Sequence, residues 1–543
     1  MKRNKFLNQI GVIFVTCLFI FLSSQMAFSA TYYIDYNAAN DSANGTAKAT
    51  PWKHHPYMPT FSGSYTHAAG DVFIFKGGVT WLWTSGDHLF PMTIVSGGSA
   101  GNVDTYTSDP TWYVGGSFTL PILDGGQQAE GSTVTLGALN SLIMDGTHQV
   151  GYIKIDSLQL QNVGYPISAP GGDGSGTLIK LMGSGSNIEI SNCILYPHAV
   201  QVFGIDNYYN VTNQSNILIH NNTINYAGRG VIYGEPGYLV NNVQVYSNHW
   251  TGDAALQIAL WGGGNGFHGD GLMLGCRTGC GTDTRMTNIQ FYNNKLDGSW
   301  AHCTALYYSD GNTRNTLIYN NIFATENTTA GAGTGGNYFI RLNTNGPDTG
   351  TINILNNTFS SDSLASLGHG LNMSGAVGLG TFASGTSSTV TIENNIFSGP
   401  EIDVLTSLNG VATLTMDHNL HNPYTGDGYG EWAVVGGIWY KYANLAALHS
   451  AGYENHGLGA STYASSYPSF ATIPTGTPGS GHFQLQSNSP AIDAGANLST
   501  TFTTDLLGNT RPTSANTWDI EAYEYEADSL TRVATQNPPP VAT

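Results

Sequence analysis

The chain has 543 residues, with 36 Asp and Glu against 17 Lys and Arg, which gives a formal net charge of −19 at pH 7. Only 10% of the residues are charged, whereas about a quarter are charged in an ordinary soluble domain. This acidic, charge-poor composition disfavours nucleic acid and anionic membranes as partners, while 41% hydrophobic residues suffice for a large core. We expect a monomer that does not bind nucleic acid.

The N-terminal segment has the pattern of a leader. Basic residues precede an apolar run over 10–22, and the sequence AFSA at 27–30 places small residues at the −3 and −1 positions of a cleavage site. The apolar run is shorter than the roughly 20 residues that a membrane-spanning helix needs. The pattern predicts a secretory signal peptide over residues 1–30 and a protein that is secreted, either extracellular or on the cell surface, with no transmembrane span after cleavage.

Four cysteines remain once Cys17 leaves with the leader: Cys193, Cys276, Cys280 and Cys303. They allow three pairings in an oxidising compartment, and the short spacing of Cys276 and Cys280 suits a small closed loop. A zinc site is the alternative, although the spacing matches no common four-ligand pattern. We favour a structural disulfide and leave the pairing open.

A short pattern recurs through the middle of the chain, in which two alternating apolar residues precede an Asn that is followed by another apolar residue. Four full copies are Ile217/Ile219/Asn222/Ile224, Val243/Val245/Asn248/Trp250, Ile289/Phe291/Asn294/Leu296 and Ile352/Ile354/Asn357/Phe359. Further copies contain Asn321, Asn395 and Asn419; Asn192 lies in a copy that is one residue short, and the copy at 153–160 lacks the Asn.

This repeat predicts a solenoid of strands. Period-2 alternation buries one face of each strand, and a turn residue repeated every few dozen positions indicates that successive turns stack. Asn suits the turn because it tolerates the left-handed conformation and its amide can bond to neighbouring turns as a ladder. Second short strands at 200–202, 231–233, 272–274, 305–307 and 340–342 suggest coils of about three strands. We therefore predict an all-β, right-handed parallel β-helix.

Both ends of the chain carry motifs of a known superfamily. The opening stretches TYYID at 31–35, DSANG at 41–45, PWK at 51–53 and AGDVFIFKGG at 69–78 resemble those of secreted bacterial right-handed β-helix proteins. The closing stretch, with SPAIDAG at 489–495 and DIEAYE at 519–524, resembles the choice-of-anchor segment of such proteins. The superfamily includes polysaccharide lyases and glycoside hydrolases, so the resemblance implies a glycan-related function without defining one.

We divide the mature chain into three regions. Residues 31–140 are predicted to form an N-terminal cap with the first coils, residues 141–425 the β-helix repeats, and residues 426–543 a C-terminal excursion with a capping, anchor-like segment. A short helix is expected within 442–451.

Aligning the second strands by their apolar residues places four polar residues in one row, two positions ahead of the first apolar residue of each strand. These residues are His198, Arg229, Asp270 and Cys303, with His302 beside the last. Carboxylate, imidazole and guanidinium groups a few ångströms apart shift one another's proton affinities, as general acid or base catalysis requires. The row is therefore a candidate catalytic site, and a structural ladder of polar side chains is the alternative.

The longest insertion near this row falls at 251–269, and excursions from a solenoid often form its binding face. It contributes His268, which is two residues from Asp270 and completes the catalytic candidates. Aromatic residues suited to stacking against sugar rings are Trp261, Phe267 and Tyr308. The opposite wall is assigned to Glu235, Arg277 and Asp310, which follow their strands.

Two reactions fit these residues. In a glycoside hydrolase, Asp270 would pair with Asp310, Glu235 or Asp253, and the separation of the two carboxyl groups would set the stereochemistry: about 5 Å for retention and about 6.5–9.5 Å for inversion. In a polysaccharide lyase, Arg229 or Arg277 would remove the proton beside a uronate carboxyl group while a cation such as Ca²⁺ neutralises that group. No other cofactor is implied. The acidic chain slightly favours a neutral glycan.

The sequence thus predicts a secreted protein that binds and cleaves an extracellular polysaccharide. The competing interpretation is a non-catalytic adhesin or matrix protein that uses a long wall of low charge. The two differ in whether ionisable groups converge within about 3–6 Å across a groove.

Overall fold

The structure is a computed structural model of the chain. It describes residues 28–84, 87–126, 141–147, 150–163, 176–183, 185–196, 201–206, 212–225, 229–235, 237–252, 271–276, 284–298, 306–309, 312–324, 337–342, 350–360, 373–379, 388–399, 404–407, 411–422, 430–434, 438–442, 444–459, 468–471, 483–514 and 518–525.

Over these described residues the fold consists of three sheets of twelve strands each, and the strands are numbered in chain order. The first sheet contains β1 (Thr31–Ile34), β2 (Val72–Gly77), β5 (Asp104–Tyr113), β8 (Ile153–Asp156), β11 (Ile188–Ser191), β14 (Gln214–His220), β17 (Val240–Tyr246), β20 (Thr284–Tyr292), β23 (Asn312–Tyr319), β26 (Thr351–Leu355), β29 (Ser388–Glu393) and β32 (Val411–Asp417). The second contains β3 (Thr80–Leu82), β6 (Ile122–Asp124), β9 (Gln159–Gln161), β12 (Ile194–Tyr196), β15 (Thr223–Asn225), β18 (His249–Gly252), β21 (Lys295–Gly298), β24 (Ile322–Ala324), β27 (Thr358–Ser360), β30 (Ile396–Ser398), β33 (Leu420–Asn422) and β36 (Leu458–Gly459). The third contains β4 (Met92–Ile94), β7 (Ser141–Asp145), β10 (Thr177–Leu181), β13 (Gln201–Asp206), β16 (Arg229–Gly234), β19 (Leu272–Cys276), β22 (Leu306–Ser309), β25 (Asn337–Leu342), β28 (Met373–Leu379), β31 (Val404–Ser407), β34 (Gly430–Val434) and β35 (Ile438–Tyr442).

Each coil contributes one strand to each sheet, and each strand pairs with its counterpart in the next coil. The coil of β14, β15 and β16 illustrates the path: β14 pairs in parallel with β17, β15 with β18 and β16 with β19. The pairing of β34 with β35 is antiparallel. The chain therefore forms the predicted parallel β-helix, and the second short strands of the prediction are present in the third sheet.

The interior is filled by the alternating apolar residues of the repeat. Ile217 and Ile219 of β14 and Ile224 of β15 are each fully buried, and the register stacks Ile217 on Val243 of the next coil. Such columns run through successive coils, so every coil buries the surface that its neighbour would otherwise expose. The period-2 pattern in the sequence arises because alternate residues of each strand point into this interior.

An asparagine ladder follows the turn between the first and second sheets. The backbone N–H and the side-chain Nδ2 of each ladder residue before the last both donate to Oδ1 of the ladder Asn in the next coil, at 3.0 Å in each case from Asn222 to Asn248. The ladder residues are Asn222, Asn248, Asn294, Asn321, Asn357, Asn395 and Asn419. The predicted ladder is thus confirmed, and it satisfies turn amides that are buried away from water.

The left-handed residue of this turn is not the ladder Asn, as the sequence suggested, but the residue before it. Asn221 has φ 55° and His418 has φ 55°, and the equivalent residue of every coil between them is also left-handed. This offset explains the copy that seemed one residue short. Asn192, with φ 55°, occupies the left-handed place, and Cys193 stands where the other coils have the ladder Asn.

Cys193 is consequently a buried free thiol rather than half of a bridge. Its side chain is inside the core, and its backbone N–H donates to Oδ1 of Asn222 at 3.0 Å. The loop predicted to be closed by Cys276 and Cys280 lies outside the described side chains, as does Cys303.

An aromatic cluster covers the N-terminal end of the solenoid. Trp52 is 1% exposed and stacks on Tyr32 of β1 at a ring-centroid distance of 4.8 Å, and Tyr32 also packs against Phe73 of β2. His55 is fully buried among these rings, and burial lowers its pKa well below the usual value. The segment that carries Trp52 and His55 thus shields the first coil from pairing with another chain.

The C-terminal strap, defined here as residues 483–514 and 518–525, packs against the left-handed turns of the last coils. Nδ2 of Asn356 donates to the carbonyl oxygens of Asp519 and Glu521, and Nδ2 of Asn394 donates to that of Ala496. Arg511 is 1% exposed and donates to Oδ1 of Asn320 at 3.0 Å. The anchor-like segment thereby covers the turns from Asn320 to His418.

The predicted short helix is present as α1 (Leu445–Ser450), and Oδ1 of Asn444 caps its N-terminus by accepting from the N–H of Ala447 at 2.9 Å. Among the described residues, no helix is long and apolar enough to cross a membrane. The predicted leader falls almost entirely outside the described residues.

Candidate functional site

Most residues of the predicted site lie outside the part of the chain that the structure describes. These are His198, Asp253, Trp261, Phe267, His268, Asp270, Arg277, His302 and Asp310. For Arg229, at the start of β16, and Tyr308, in β22, the backbone is described but the side chain is not. Glu235 follows β16 and is 5% exposed. Their proposed roles therefore remain predictions.

The strand register corrects the alignment from which the row was inferred. The prediction placed Leu272 beside Val231 and Ala305 beside Leu272. In the structure Val231 pairs with Met273, and Leu272 pairs with Leu306. The alignment is thus wrong by one residue at each of these two steps, and a one-residue shift reverses the face on which a strand side chain lies.

The error arises because adjacent residues in these strands are both apolar. Ile232 and Leu274 point into the core, whereas Val231 and Met273 form a separate outer cluster with Tyr233, whose hydroxyl lies 3.0 Å from the sulfur of Met273. The apolar pattern alone does not tell which of Val231 and Ile232 faces inward. The row of His198, Arg229, Asp270 and Cys303 therefore loses the register argument that supported it.

The described residues contain a different row, on the outward face of the first sheet at the last position of each strand from β8 to β32. Strand register places its members in successive coils. This outer row consists of Asp156, Ser191, His220, Tyr246, Tyr292, Tyr319, Leu355, Glu393 and Asp417. Its members lie just before the left-handed turn, where the strands leave the first sheet.

The middle of the outer row is a stack of rings. His220 and Tyr246 have centroids 4.6 Å apart, Tyr246 and Tyr292 4.9 Å, and Tyr292 and Tyr319 4.8 Å, with interplanar angles of 4° to 7°. These separations match the spacing of about 4.8 Å between parallel strands, so the solenoid itself sets the stack. Phe502 of the strap covers its far end at 4.5 Å from Tyr319.

The other end of the row is a network of ionised groups. Nζ of Lys154 donates to Oε1 of Glu189 at 2.8 Å, and the same oxygen lies 3.2 Å from Nε2 of His220. Oγ of Ser191 donates to Oδ1 of Asp156 at 2.8 Å and lies 3.2 Å from Glu189. We call Lys154, Asp156, Glu189, Ser191 and His220 the ionic cluster. In a chain with few charges, this convergence marks the surface as a candidate site.

The environment holds the carboxyl groups of the cluster in their ionised form. Burial opposes ionisation of Asp156, but hydrogen bonds from Asn192, Ser191 and Ser157 outweigh it and lower its pKa. Burial of Glu189 is likewise outweighed by Lys154, and its pKa is lowered. Conversely, burial of Lys154 is outweighed by its bond to Glu189, so its pKa is raised.

These pKa directions define what the ionic cluster can do. A general acid needs a carboxyl group that keeps its proton near neutral pH, and a lysine base needs a lowered pKa. Neither condition holds for Asp156, Glu189 or Lys154. The cluster offers ionised acceptors and a cation for hydrogen bonds to hydroxyl groups, which fits ligand binding rather than proton transfer.

A second feature is a cleft of about 550 Å³ in the N-terminal cap. Its lining is largely aromatic and apolar and includes Tyr57, Phe61 and Tyr65, together with Thr93 and Val95 from the region of β4. Clefts of this size with aromatic walls and a few polar groups commonly bind small molecules or one end of a longer ligand.

His67 lines this cleft and is held by a buried carboxylate. Its Nε2 lies 2.7 Å from Oδ2 of Asp104, which is fully buried and also accepts the N–H of Gly70. Burial raises the pKa of Asp104 against the opposing effect of these two hydrogen bonds. A histidine oriented by a buried carboxyl group is a common arrangement of a general base, so His67 makes the cleft a candidate site for proton transfer.

The sequence interpretation missed both features. The alignment of the coils rests on their inward-facing apolar residues alone, so it gives no information on outward-facing residues such as Tyr246 and Tyr292. The available signal was their fixed position, two residues before each ladder Asn: Tyr246 before Asn248, Tyr292 before Asn294 and Tyr319 before Asn321. The pairing of His67 with Asp104 had no sequence signal, because it joins residues 37 positions apart.

No protein-family model and no curated protein matches the chain. Solved structures with partial resemblance include the pectate lyase Pel9A, with a TM-score of 0.40 at 13% identity over 93% of this chain and 98% of that one. A rhamnogalacturonan lyase has a TM-score of 0.36 at 12% identity, covering 84% and 97% of the two chains. A GH136 lacto-N-biosidase from Eubacterium ramulus has 0.34 at 11%, covering 75% and 68%. At these values the likeness defines no activity for this chain.

Proposed function

We propose that this protein is secreted and binds an extracellular polysaccharide along the outer row of the first sheet. The observation that carries the proposal is the repetition of hydrogen-bonding side chains at the spacing of the coils, from Tyr319 through His220 to the ionic cluster. A regular polymer laid across the coils meets a similar group at each step, whereas a small molecule would use only one or two of them.

Composition supports a glycan as that polymer. The acidic chain repels polyanions, and the outer row combines tyrosine hydroxyls with carboxylates that accept hydrogen bonds. Sugar hydroxyl groups are donors to such acceptors, and Lys154 is the cation of the cluster that can meet an occasional carboxylate on the ligand. A neutral polysaccharide fits this surface better than a strongly acidic one.

We further propose that the protein cleaves this polysaccharide, and two locations compete for the chemistry. The first is the set predicted from the sequence: Arg229, His268, Asp270 and His302, with Arg277 and Asp310. The second is His67 in the cap cleft. Hydrolysis and β-elimination both remain open, and Ca²⁺ is required only if a uronate is eliminated.

The competing function is adhesion without cleavage. It is favoured by the ionised state of the ionic cluster, in which neither carboxyl group is held in the protonated form that a general acid needs. On this view the outer row is a binding wall and the cap cleft holds one end of the ligand.

A polysaccharide panel distinguishes these functions. Binding is measured by calorimetry, β-elimination by ultraviolet absorbance of unsaturated products, and hydrolysis by new reducing ends. The variants are Lys154→Ala for the outer row, Asp270→Asn and His302→Ala for the predicted catalytic set, and His67→Ala for the cleft. Thermal unfolding of each variant checks that it folds.

Under the enzyme hypothesis, Asp270→Asn with His302→Ala, or else His67→Ala, abolishes cleavage while binding persists. Under the adhesin hypothesis, no polysaccharide is cleaved, Lys154→Ala and His67→Ala weaken binding, and Asp270→Asn and His302→Ala leave it unchanged. If no polysaccharide binds to the wild type, the proposed function is wrong.

A further inference from the structure

Two histidines lie side by side at the last coil, where three segments of the chain meet. His418 occupies the left-handed turn after β32, and His456 follows α1. Their rings stack with centroids 4.6 Å apart and an interplanar angle of 13°. Suitable ligand atoms of His418, His456 and Asp417 all lie within 4.8 Å of one another.

Each of the two rings makes a hydrogen bond through its Nδ1 atom. Nδ1 of His418 lies 2.9 Å from the carbonyl oxygen of Ala494 in the strap and must donate to it. Nδ1 of His456 lies 2.8 Å from Oδ2 of Asp417 and donates to that carboxylate. In the neutral form of imidazole that binds metals, this pattern puts the proton of each ring on Nδ1 and the lone pair on Nε2.

This is the arrangement by which proteins prepare histidine for metals. A metal-binding imidazole almost always donates its other N–H to a carboxylate or a backbone carbonyl, which fixes the tautomer and the ring orientation. Here Nδ1 of His456 has a carboxylate partner, and Nδ1 of His418 has a backbone carbonyl partner. The backbone also holds Asp417 in place, since its Oδ1 accepts the N–H groups of both His418 and His456.

We propose that His418 and His456 bind one divalent transition-metal ion of the Zn²⁺ or Cu²⁺ class through their Nε2 atoms. Imidazole suits these ions, whereas Ca²⁺ prefers oxygen ligands and is not expected here. Asp417 acts as a positioning residue for His456, and water completes the coordination. Because stacked rings direct their lone pairs side by side, binding requires a small tilt of one ring. The side chain of His456 is 64% exposed, so its ring can tilt about the hydrogen bond that Asp417 provides.

Such an ion would join the last coil to the segment after α1, and through Ala494 it would stabilise the docking of the strap. The site is separate from the ionic cluster and from the cap cleft. The metal site does not depend on the proposed function. A negative result for one of these two proposals does not count against the other.

The test uses untagged, metal-free protein titrated with Zn²⁺ by calorimetry, with Ca²⁺ as the contrasting ion. The informative variants are His456→Ala and His418→Asn. Asn is the residue at the equivalent left-handed turn in the coils of Asn356 and Asn394, so His418→Asn keeps the backbone conformation while it removes the imidazole. His449→Ala, which removes an exposed histidine of α1, is the matched control.

We expect the wild type and His449→Ala to bind one equivalent of Zn²⁺ that His418→Asn and His456→Ala lose. Asp417→Asn should retain this equivalent with about 10- to 100-fold weaker affinity. Electron paramagnetic resonance of the Cu²⁺ form should show two coupled nitrogens in the wild type and fewer in either histidine variant. Wild-type protein that takes up no Zn²⁺, or histidine variants that bind as many equivalents as the wild type, would overturn the proposal.

Discussion

Nδ2 of Asn419 donates to Oε1 of Glu454 at 2.7 Å, and the backbone N–H of Asn419 lies 3.1 Å from Oε2 of the same carboxylate. Every earlier rung of the ladder makes the corresponding two bonds to the next Asn, and among the described residues no ladder Asn follows Asn419. Glu454 is fully buried and has φ 55°, the conformation of the left-handed turn residues. A glutamate thus ends the asparagine ladder by supplying one carboxylate oxygen to each of the two donors.

Replacement of Glu454 should therefore destabilise the C-terminal end of the solenoid in graded fashion. Glu454→Gln keeps one acceptor oxygen but directs an NH₂ group at a donor, and Glu454→Ala removes both acceptors. Since a buried polar group left unpaired costs about 1–3 kcal/mol, we expect losses of roughly 1–3 kcal/mol for Gln and more for Ala. Urea unfolding measures both, and equal stability of the two variants would contradict the capping role.

The interior of the ladder should be at least as sensitive. Asn294→Ala leaves the N–H and Nδ2 of Asn248 without their shared acceptor and removes the bond from Asn294 Nδ2 to the carbonyl of Val245. We expect a loss of about 3 kcal/mol or more in the free energy of unfolding. Asn37→Ala, at an exposed asparagine, is the control and should change stability by less than about 0.5 kcal/mol.

Stability should fall as the pH rises from about 5 to 8 because buried carboxyl groups of the strap have raised pKa values. Four carboxyl groups, those of Asp505, Asp519, Glu521 and Glu524, interact with the buried guanidinium of Arg511. Burial raises the pKa of Asp519 to about 6 and that of Glu524 to about 8, and it raises the pKa of Glu521 as well.

The folded state therefore holds protons that the unfolded chain releases above about pH 4–5. This contribution to stability is fully present below that pH and is lost as the pH rises through 6 and 8, by up to about 1.4 kcal/mol per pH unit for each proton. Unfolding measured between pH 5 and 8.5 checks the slope. Glu521→Gln, which cannot ionise, should be more stable relative to the wild type at the alkaline end, and parallel curves for the two proteins would exclude this explanation.

The ring stack yields a prediction about ligand binding. Tyr292→Leu removes one ring from the outer row without touching the core, and Tyr292→Phe removes only the hydroxyl. Under the proposed function, we expect Tyr292→Leu to weaken polysaccharide binding about 5- to 10-fold, corresponding to roughly 1 kcal/mol, and Tyr292→Phe to have a smaller effect. Calorimetry measures the affinities, and unchanged binding by Tyr292→Leu would remove the outer row from the binding surface.

Cys193 should be inert in the native protein. Burial raises the pKa of its thiol to about 12, so almost none of the reactive thiolate is present at neutral pH. Treatment with iodoacetamide followed by peptide mass spectrometry should leave Cys193 unmodified in the folded protein and modify it after denaturation. Modification under native conditions would show that this part of the core opens.

The sequence by itself determined the solenoid. The apolar residues at 217, 219 and 224 and their counterparts repeat because each coil must bury the same inward face, and the ladder Asn repeats because the buried turn has donors that need an acceptor. Packing and hydrogen bonding constrain these positions in every coil, so they remain visible in one sequence. The role of Cys193 was not visible, because a ladder position recognised by its Asn is lost when another residue fills it.

Only the tertiary structure decided which residues meet on the surface. The proximity of Lys154, Glu189 and His220 depends on strand register, which the inward pattern fixes only where apolar and polar residues alternate. In β16 the neighbours Val231 and Ile232 are both apolar, so the pattern permitted either phase. The contacts of Asn419 with Glu454 and of His418 with Ala494 depend on where distant segments dock. Solvent-facing and docking positions carry no repeated packing constraint, and for that reason only the folded chain reveals them.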